Sequence, residues 1–153
     1  MKKSILLFAL LIASLTSLTS CSSDDEQRDM TQEPSKYKVE ISHDDNTEFF
    51  TQILIVSLEI NGQKNIKLSS NFDFDDNGMY MSPEVFNINY TGEVKDISFE
   101  TDTPVYGVTL AHIMSTMTDK TINVNVKIYK NGKLIKQQTT ALNNENGQSF
   151  VSA

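Results

Sequence analysis

Ile122-Asn-Val-Asn-Val-Lys-Ile-Tyr-Lys-Asn-Gly-Lys-Leu-Ile-Lys136 is the stretch that decides the fold class. Ile122, Val124, Val126 and Ile128 alternate with Asn123, Asn125, Lys127 and Tyr129, the period of a strand with one buried face. Asn131-Gly132 then offers two residues that tolerate positive φ, as a two-residue type I′ hairpin turn requires. A strand, a turn and a returning strand follow from fifteen consecutive letters.

The same signals recur along the chain. Tyr37, Val39 and Ile41 alternate with Lys38 and Glu40. Residues 50–60 are more apolar, with Leu54, Val56, Leu58 and Ile60 on one face and Ile53 and Ile55 on the other, which predicts a central strand covered on both sides. Segments 64–72, 85–90 and 105–116 also read as strands. Asn61-Gly62 predicts a second hairpin, and Asn77-Gly78 and Asn146-Gly147 further turns. Pro83 and Pro104 fall between runs, where they remove no ladder hydrogen bond. Eight or nine short antiparallel strands at this spacing predict an all-β antiparallel sandwich of immunoglobulin-like architecture. The chain has no Trp and one Cys, so no antibody-type disulfide core is expected.

The N-terminus carries an address. Lys2 and Lys3 precede an apolar run from Ile5 to Ala13, followed by small residues and Leu18-Thr19-Ser20-Cys21. This is a secretory signal, too short to span a bilayer, and it resembles a bacterial lipoprotein signal. That resemblance implies cleavage after residue 20 and acylation of Cys21. Ser22 follows, not the Asp that retains many lipoproteins at an inner membrane. The run Cys21-Ser22-Ser23-Asp24-Asp25-Glu26 is similar to the surface-export signal of Bacteroidota lipoproteins, which implies an outer-membrane anchor facing the cell exterior. Residues 1–20 are thus expected to be the signal, 21–35 an acylated acidic tether, and 36–153 one β-sandwich domain. A flexible tether of that length reaches roughly 20 Å.

Composition narrows the function classes. The expected mature chain has 20 acidic and 11 basic residues, which disfavours nucleic acid as a partner. Residues 21–119 hold 19 acids and 6 bases, whereas 120–153 hold five lysines and one acid, Glu145. Acylation of Cys21 would leave no thiol for a nucleophile, disulfide or metal site.

Two segments, 97–111 and 122–137, resemble the second half of MmpS-type domains. They share a strand ending near a proline and the hairpin Val126-Lys-Ile-Tyr-Lys-Asn-Gly-Lys-Leu-Ile-Lys136. Val105 stands where the family often has Trp. The resemblance implies a small membrane-anchored β-sandwich and, as a partner, a transporter or another envelope protein.

Three sets of residues are candidates for chemistry. Asp73-Phe74-Asp75-Asp76-Asn77-Gly78 with Glu84 fits the calcium-loop pattern D-x-[DN]-x-[DN]-G-x₅-E, in which Asp73, Asp75, Asn77 and Glu84 would supply oxygens to a hard cation. The flanking strands, Met81 and Pro83 favour instead an Asn-Gly hairpin with Asp75, Asp76 and Asn77 exposed at its tip. Lys127, Lys130, Lys133 and Lys136 cluster on one hairpin, with Lys120 at its base. They either protect an edge strand or form a docking face for an acidic partner, an anionic glycan or a lipid headgroup. The two histidines are far apart in sequence: His112 reads as a strand residue, and His43-Asp44-Asp45 as a turn. No nucleophile motif, phosphate loop or HExxH pattern occurs.

The expectation is therefore an outer-membrane-anchored lipoprotein that serves as a non-enzymatic binding or transporter-accessory module without a required cofactor. A calcium-dependent adhesion or ligand-binding module and a carboxylate-dependent hydrolase are the alternatives.

Overall fold

The computed structural model describes residues 33–44, 46–75 and 78–153. The signal, Cys21, the tether up to residue 32, Asp45, Asp76 and Asn77 lie outside the described residues. Among the described residues ten strands form: β1 Tyr37–His43, β2 Thr51–Glu59, β3 Leu68–Ser70, β4 Met79–Ser82, β5 Val85–Glu93, β6 Ile97–Thr101, β7 Gly107–Ser115, β8 Ile122–Lys130, β9 Lys133–Leu142 and β10 Gln148–Ser152. The count exceeds the expected eight or nine. β3, three residues long, falls within the strand expected at 64–72, whereas β4, of four residues, is too short for alternation to mark it in the sequence.

The strands form two five-stranded sheets, β3-β6-β1-β8-β9 and β10-β7-β2-β5-β4, and every pairing is antiparallel. Their inner faces bury Val39, Ile41, Phe99, Val124, Val126 and Ile128 against Leu54, Val56, Leu58, Ile88 and Leu110. Each such side chain contributes about 1.5–3 kcal/mol of transfer free energy, so the packed inner faces are what hold the sandwich together. β2 is central as expected, with β5 on one side and β7 on the other, and Ile53 and Ile55 half-buried on its outer face.

Only the β4–β5 and β8–β9 connections stay within one sheet; the other seven cross to the opposite sheet. This corrects the hairpin expected at Asn61-Gly62. The turn conformation is present, with φ of 42° at Asn61 and 78° at Gly62. Both edges of β2 are already occupied, however, so no strand can return beside it. The Ile60 and Gly62 N–H groups bond Glu84 and Pro83 carbonyls instead, and the chain crosses to β3. The Asn77-Gly78 hairpin is corrected in the same way, because β3 pairs with β6 whereas β4 pairs with β5. The Asn131-Gly132 hairpin forms as expected: φ is 50° and 79°, and Lys130 is the partner of Lys133. His43 ends β1 and is no part of a turn. Ser35 bridges to Val105 through two hydrogen bonds of 2.8 Å, so ordered structure begins before residue 36.

Candidate functional site

The crossing from β3 to β4 leaves the sandwich open along one side. A cleft of about 460 Å³ lies there, walled by Ile66 and Leu68, by Phe86 and Ile88 of β5, and by Phe72, Asp73 and Phe74 of the crossing loop. Alternation explains the wall. Along 72–75 burial alternates, with Phe72 and Phe74 half-buried and Asp73 and Asp75 exposed. Phe72 meets Phe74 at 4.5 Å and Tyr90 at 5.3 Å, and Phe74 meets Phe99 at 6.3 Å, all edge to face, the geometry that ring quadrupoles favour. The Lys95 ammonium sits 4.4 Å over the Tyr90 ring and 5.3 Å over Phe72. Beside the cleft, Met79, Tyr80 and Met81 of the edge strand β4 are all exposed.

The calcium-loop residues are not gathered. Asp73 and Asp75 are both exposed, and Asp73 also lines the cleft. The Asp75 N–H donates to the Asn89 carbonyl at 2.9 Å, whereas Glu84 stands in the β4–β5 turn, five residues back along β5. At about 3.3 Å per strand residue that is about 16 Å of backbone, too far for both carboxylates to reach one ion. Asn77 lies outside the described residues. Among the described residues no group of three or more His, Cys, Asp or Glu is placed to hold a metal. Asp75 is exposed as expected, but on a crossing loop and not at a hairpin tip.

The four lysines share a hairpin but not a face. Lys127 alternates with the buried residues of β8 and points outward, while Lys136 lies opposite the inward-facing Ile128. Lys130 lies over the Tyr37 ring at 5.7 Å. Lys120, near the start of β8, stands 5.3 Å over Phe49.

The sequence did not suggest a polar cluster that adjoins the cleft through Lys95 and Asp96. His43 on β1 and His112 on β7 approach with ring centroids 5.5 Å apart. Asp96 accepts hydrogen bonds from the His43 backbone N–H at 3.0 Å and from its Nδ1 at 3.2 Å. The Lys95 N–H donates to Gln52 Oε1 at 3.1 Å, which leaves Gln52 Nε2 to donate to His112 Nε2 at 2.8 Å. His112 Nε2 is then the acceptor, and its proton resides on Nδ1. His43, donating through Nδ1, keeps a bare Nε2. Both remaining nitrogens are buried without a hydrogen-bond partner, one a donor and one an acceptor. Burial, reinforced by His43, pushes His112 down to about 3. His43 is also lowered by burial, against the opposing pull of Asp96 and Asp44. Both imidazoles are neutral near pH 7.

No family model and no curated protein match the chain. Solved structures do. The fold is similar to that of DUF4425 domains. One, a domain of unknown function from Bacteroides vulgatus, has a TM-score of 0.53 at 15% identity and covers 78% of this chain and 92% of its own. A DUF4425 family protein from Bacteroides ovatus gives 0.53 at 15%, with 79% and 94% covered. The NMR structure of the calcium-bound form of a protein from Parabacteroides distasonis gives 0.54 at 14%, with 78% and 93% covered. At these identities the likeness concerns the fold, and it supports the two-sheet architecture.

Proposed function

We propose that this chain is an outer-membrane lipoprotein, anchored through Cys21 and facing the cell exterior, whose sandwich works as a non-enzymatic binding module. The single observation that carries the binding role is the aromatic-walled cleft beside the β3–β4 crossing. A preformed concavity with aromatic side chains and a few polar groups in its wall is a usual form of a small-ligand site. Its wall combines the Phe72, Phe74 and Phe86 rings with Ser70 and Asp73, which suits an amphipathic ligand carrying a ring and a polar group. A transporter or other envelope protein is the partner class that fits an accessory role.

Binding is tested by titrating the mature chain with anilinonaphthalene sulfonate. One saturable site is expected, and Ser70→Phe, which fills the cleft from its exposed wall, should remove it without lowering Tm. Saturable binding that persists in that variant would place the ligand elsewhere. Anchoring is tested by fractionation: Cys21→Ala should leave the protein unprocessed or soluble.

A second reading is favoured by one structural relative being a calcium-bound form. Calcium would then use Asp73, Asp75 and Asn77 of the crossing loop without Glu84. In that case millimolar calcium raises Tm, and the rise is lost in Asp73→Ala and kept in Glu84→Ala.

A further inference from the structure

The β8–β9 turn lies where the N-terminal segment joins the domain. The Asn131 N–H donates to the Lys36 carbonyl at 2.8 Å, and the Lys36 N–H donates to Asn131 Oδ1 at 3.1 Å. Asn131 Nδ2 reaches Ser35 Oγ at 3.4 Å. Ser35 and Lys36, near the start of the described chain, are therefore held at this tip.

The tip is basic and partly apolar. Lys36 and Lys133 are exposed there, and Lys130 is the cross-strand partner of Lys133. Lys38, farther along β1, is paired to Glu40 at 2.7 Å, and Glu33 is the acid nearest the tip in the chain. Register passes from Ile128↔Lys136 to Tyr129↔Leu134, which leaves Ile135 as an extra residue in a bulge, a device that re-aims a side chain. Leu134 and Ile135 are each 44% exposed. Edge protection would account for the lysines alone. It does not account for two large apolar side chains held in water between Lys133 and Lys136.

We propose that this tip docks on an anionic membrane surface. Lys36, Lys130, Lys133 and Lys136 meet headgroup phosphates, and Leu134 and Ile135 enter the interfacial layer. An anionic lipid interface takes both kinds of side chain at once, the lysines at its phosphates and the apolar pair below them. The proposal rests on the lipid-anchored reading for its membrane: an acyl chain together with a basic patch makes a two-signal attachment.

The experiment uses the mature chain from residue 21 carrying Cys21→Ser, so that no acyl group contributes. It is sedimented with vesicles of phosphatidylcholine alone and of phosphatidylcholine with phosphatidylglycerol. Binding is expected to the anionic vesicles only and to weaken with salt. The variant Lys130→Glu/Lys133→Glu should weaken it by about fivefold or more for each lysine changed. Leu134→Ser/Ile135→Ser should weaken it as well, with both variants melting as wild type. No binding, equal binding to the two vesicles, binding unchanged in either variant, or loss to inorganic phosphate at constant ionic strength would overturn the proposal. Failure of the anchored reading shows separately, in the fractionation of Cys21→Ala, which uses no added vesicle.

Discussion

His43 and His112, 69 residues apart in the chain, face each other from opposite sheets at 5.5 Å between ring centroids. Each ring has one nitrogen held by a neighbour, Asp96 for His43 and Gln52 for His112. The second nitrogens are complementary, since His112 Nδ1 carries a proton and His43 Nε2 does not. This polar seam closes on itself, because Lys95 and Asp96, its two ends, are adjacent residues.

Acid should weaken the fold through this pair. Both histidines have folded-state values below the ordinary one, with His112 near 3. Between about pH 6.5 and 3 the unfolded chain binds more protons than the folded one. The stability they contribute is complete above pH 6.5 and is lost as pH falls through that window. The slope is at most about 1.4 kcal/mol per pH unit for each group. Denaturant melts at pH 7, 6 and 5 on wild type and His112→Leu check this; parallel curves would remove His112 from the account.

Replacing Gln52 with Leu removes the donor to His112 and the acceptor for Lys95 together. Leaving a buried nitrogen unpaired costs about 1–3 kcal/mol. Chemical denaturation measures the loss, and Gln52→Glu is expected to be worse than Leu below pH 7 only if His112 stays neutral. Imidazole NMR shifts report that directly.

Gly132→Val is expected to cost about 1–3 kcal/mol. A Cβ at this position meets nothing within 4 Å, but φ is 79°, so the penalty is pure backbone strain. A variant that melts like wild type would mean a different turn at this tip.

Gly78→Val combines two penalties, a φ of 83° and a Cβ directed into the Phe86 ring. The expected cost is at least about 2 kcal/mol, with displacement of Phe86 from the cleft wall. A loss of anilinonaphthalene sulfonate binding larger than the loss of stability explains would mark Gly78 as shaping the cleft.

Much of the architecture was legible because burial follows residue parity. β8, β2 and the Asn131-Gly132 turn are all written as alternation plus one dipeptide. Asn61-Gly62 misled because a dipeptide specifies a local conformation and not which neighbour has a free edge. The cleft was illegible for a related reason: Phe72 and Phe74 read as part of an acidic loop until the loop is seen to bridge two sheets. The histidine seam did leave a trace. His43 continues the inward parity of Val39 and Ile41, His112 that of Val108 and Leu110, and Gln52 that of Leu54 and Val56. Polar residues in apolar registers mark a polar cluster in the core, although parity does not say which of them meet.

The crossing connections set the order in which this chain can fold. β1 sits inside its sheet, yet its partners β6 and β8 arrive only at residues 97–101 and 122–130. β2 likewise waits for β5 and β7. Pairings of such sequence separation give high contact order and slow folding. A chain emerging from its N-terminus therefore exposes its first strands without partners until nearly all of it has appeared. Both sheets are complete only with β9 and β10, the last strands of the chain to appear.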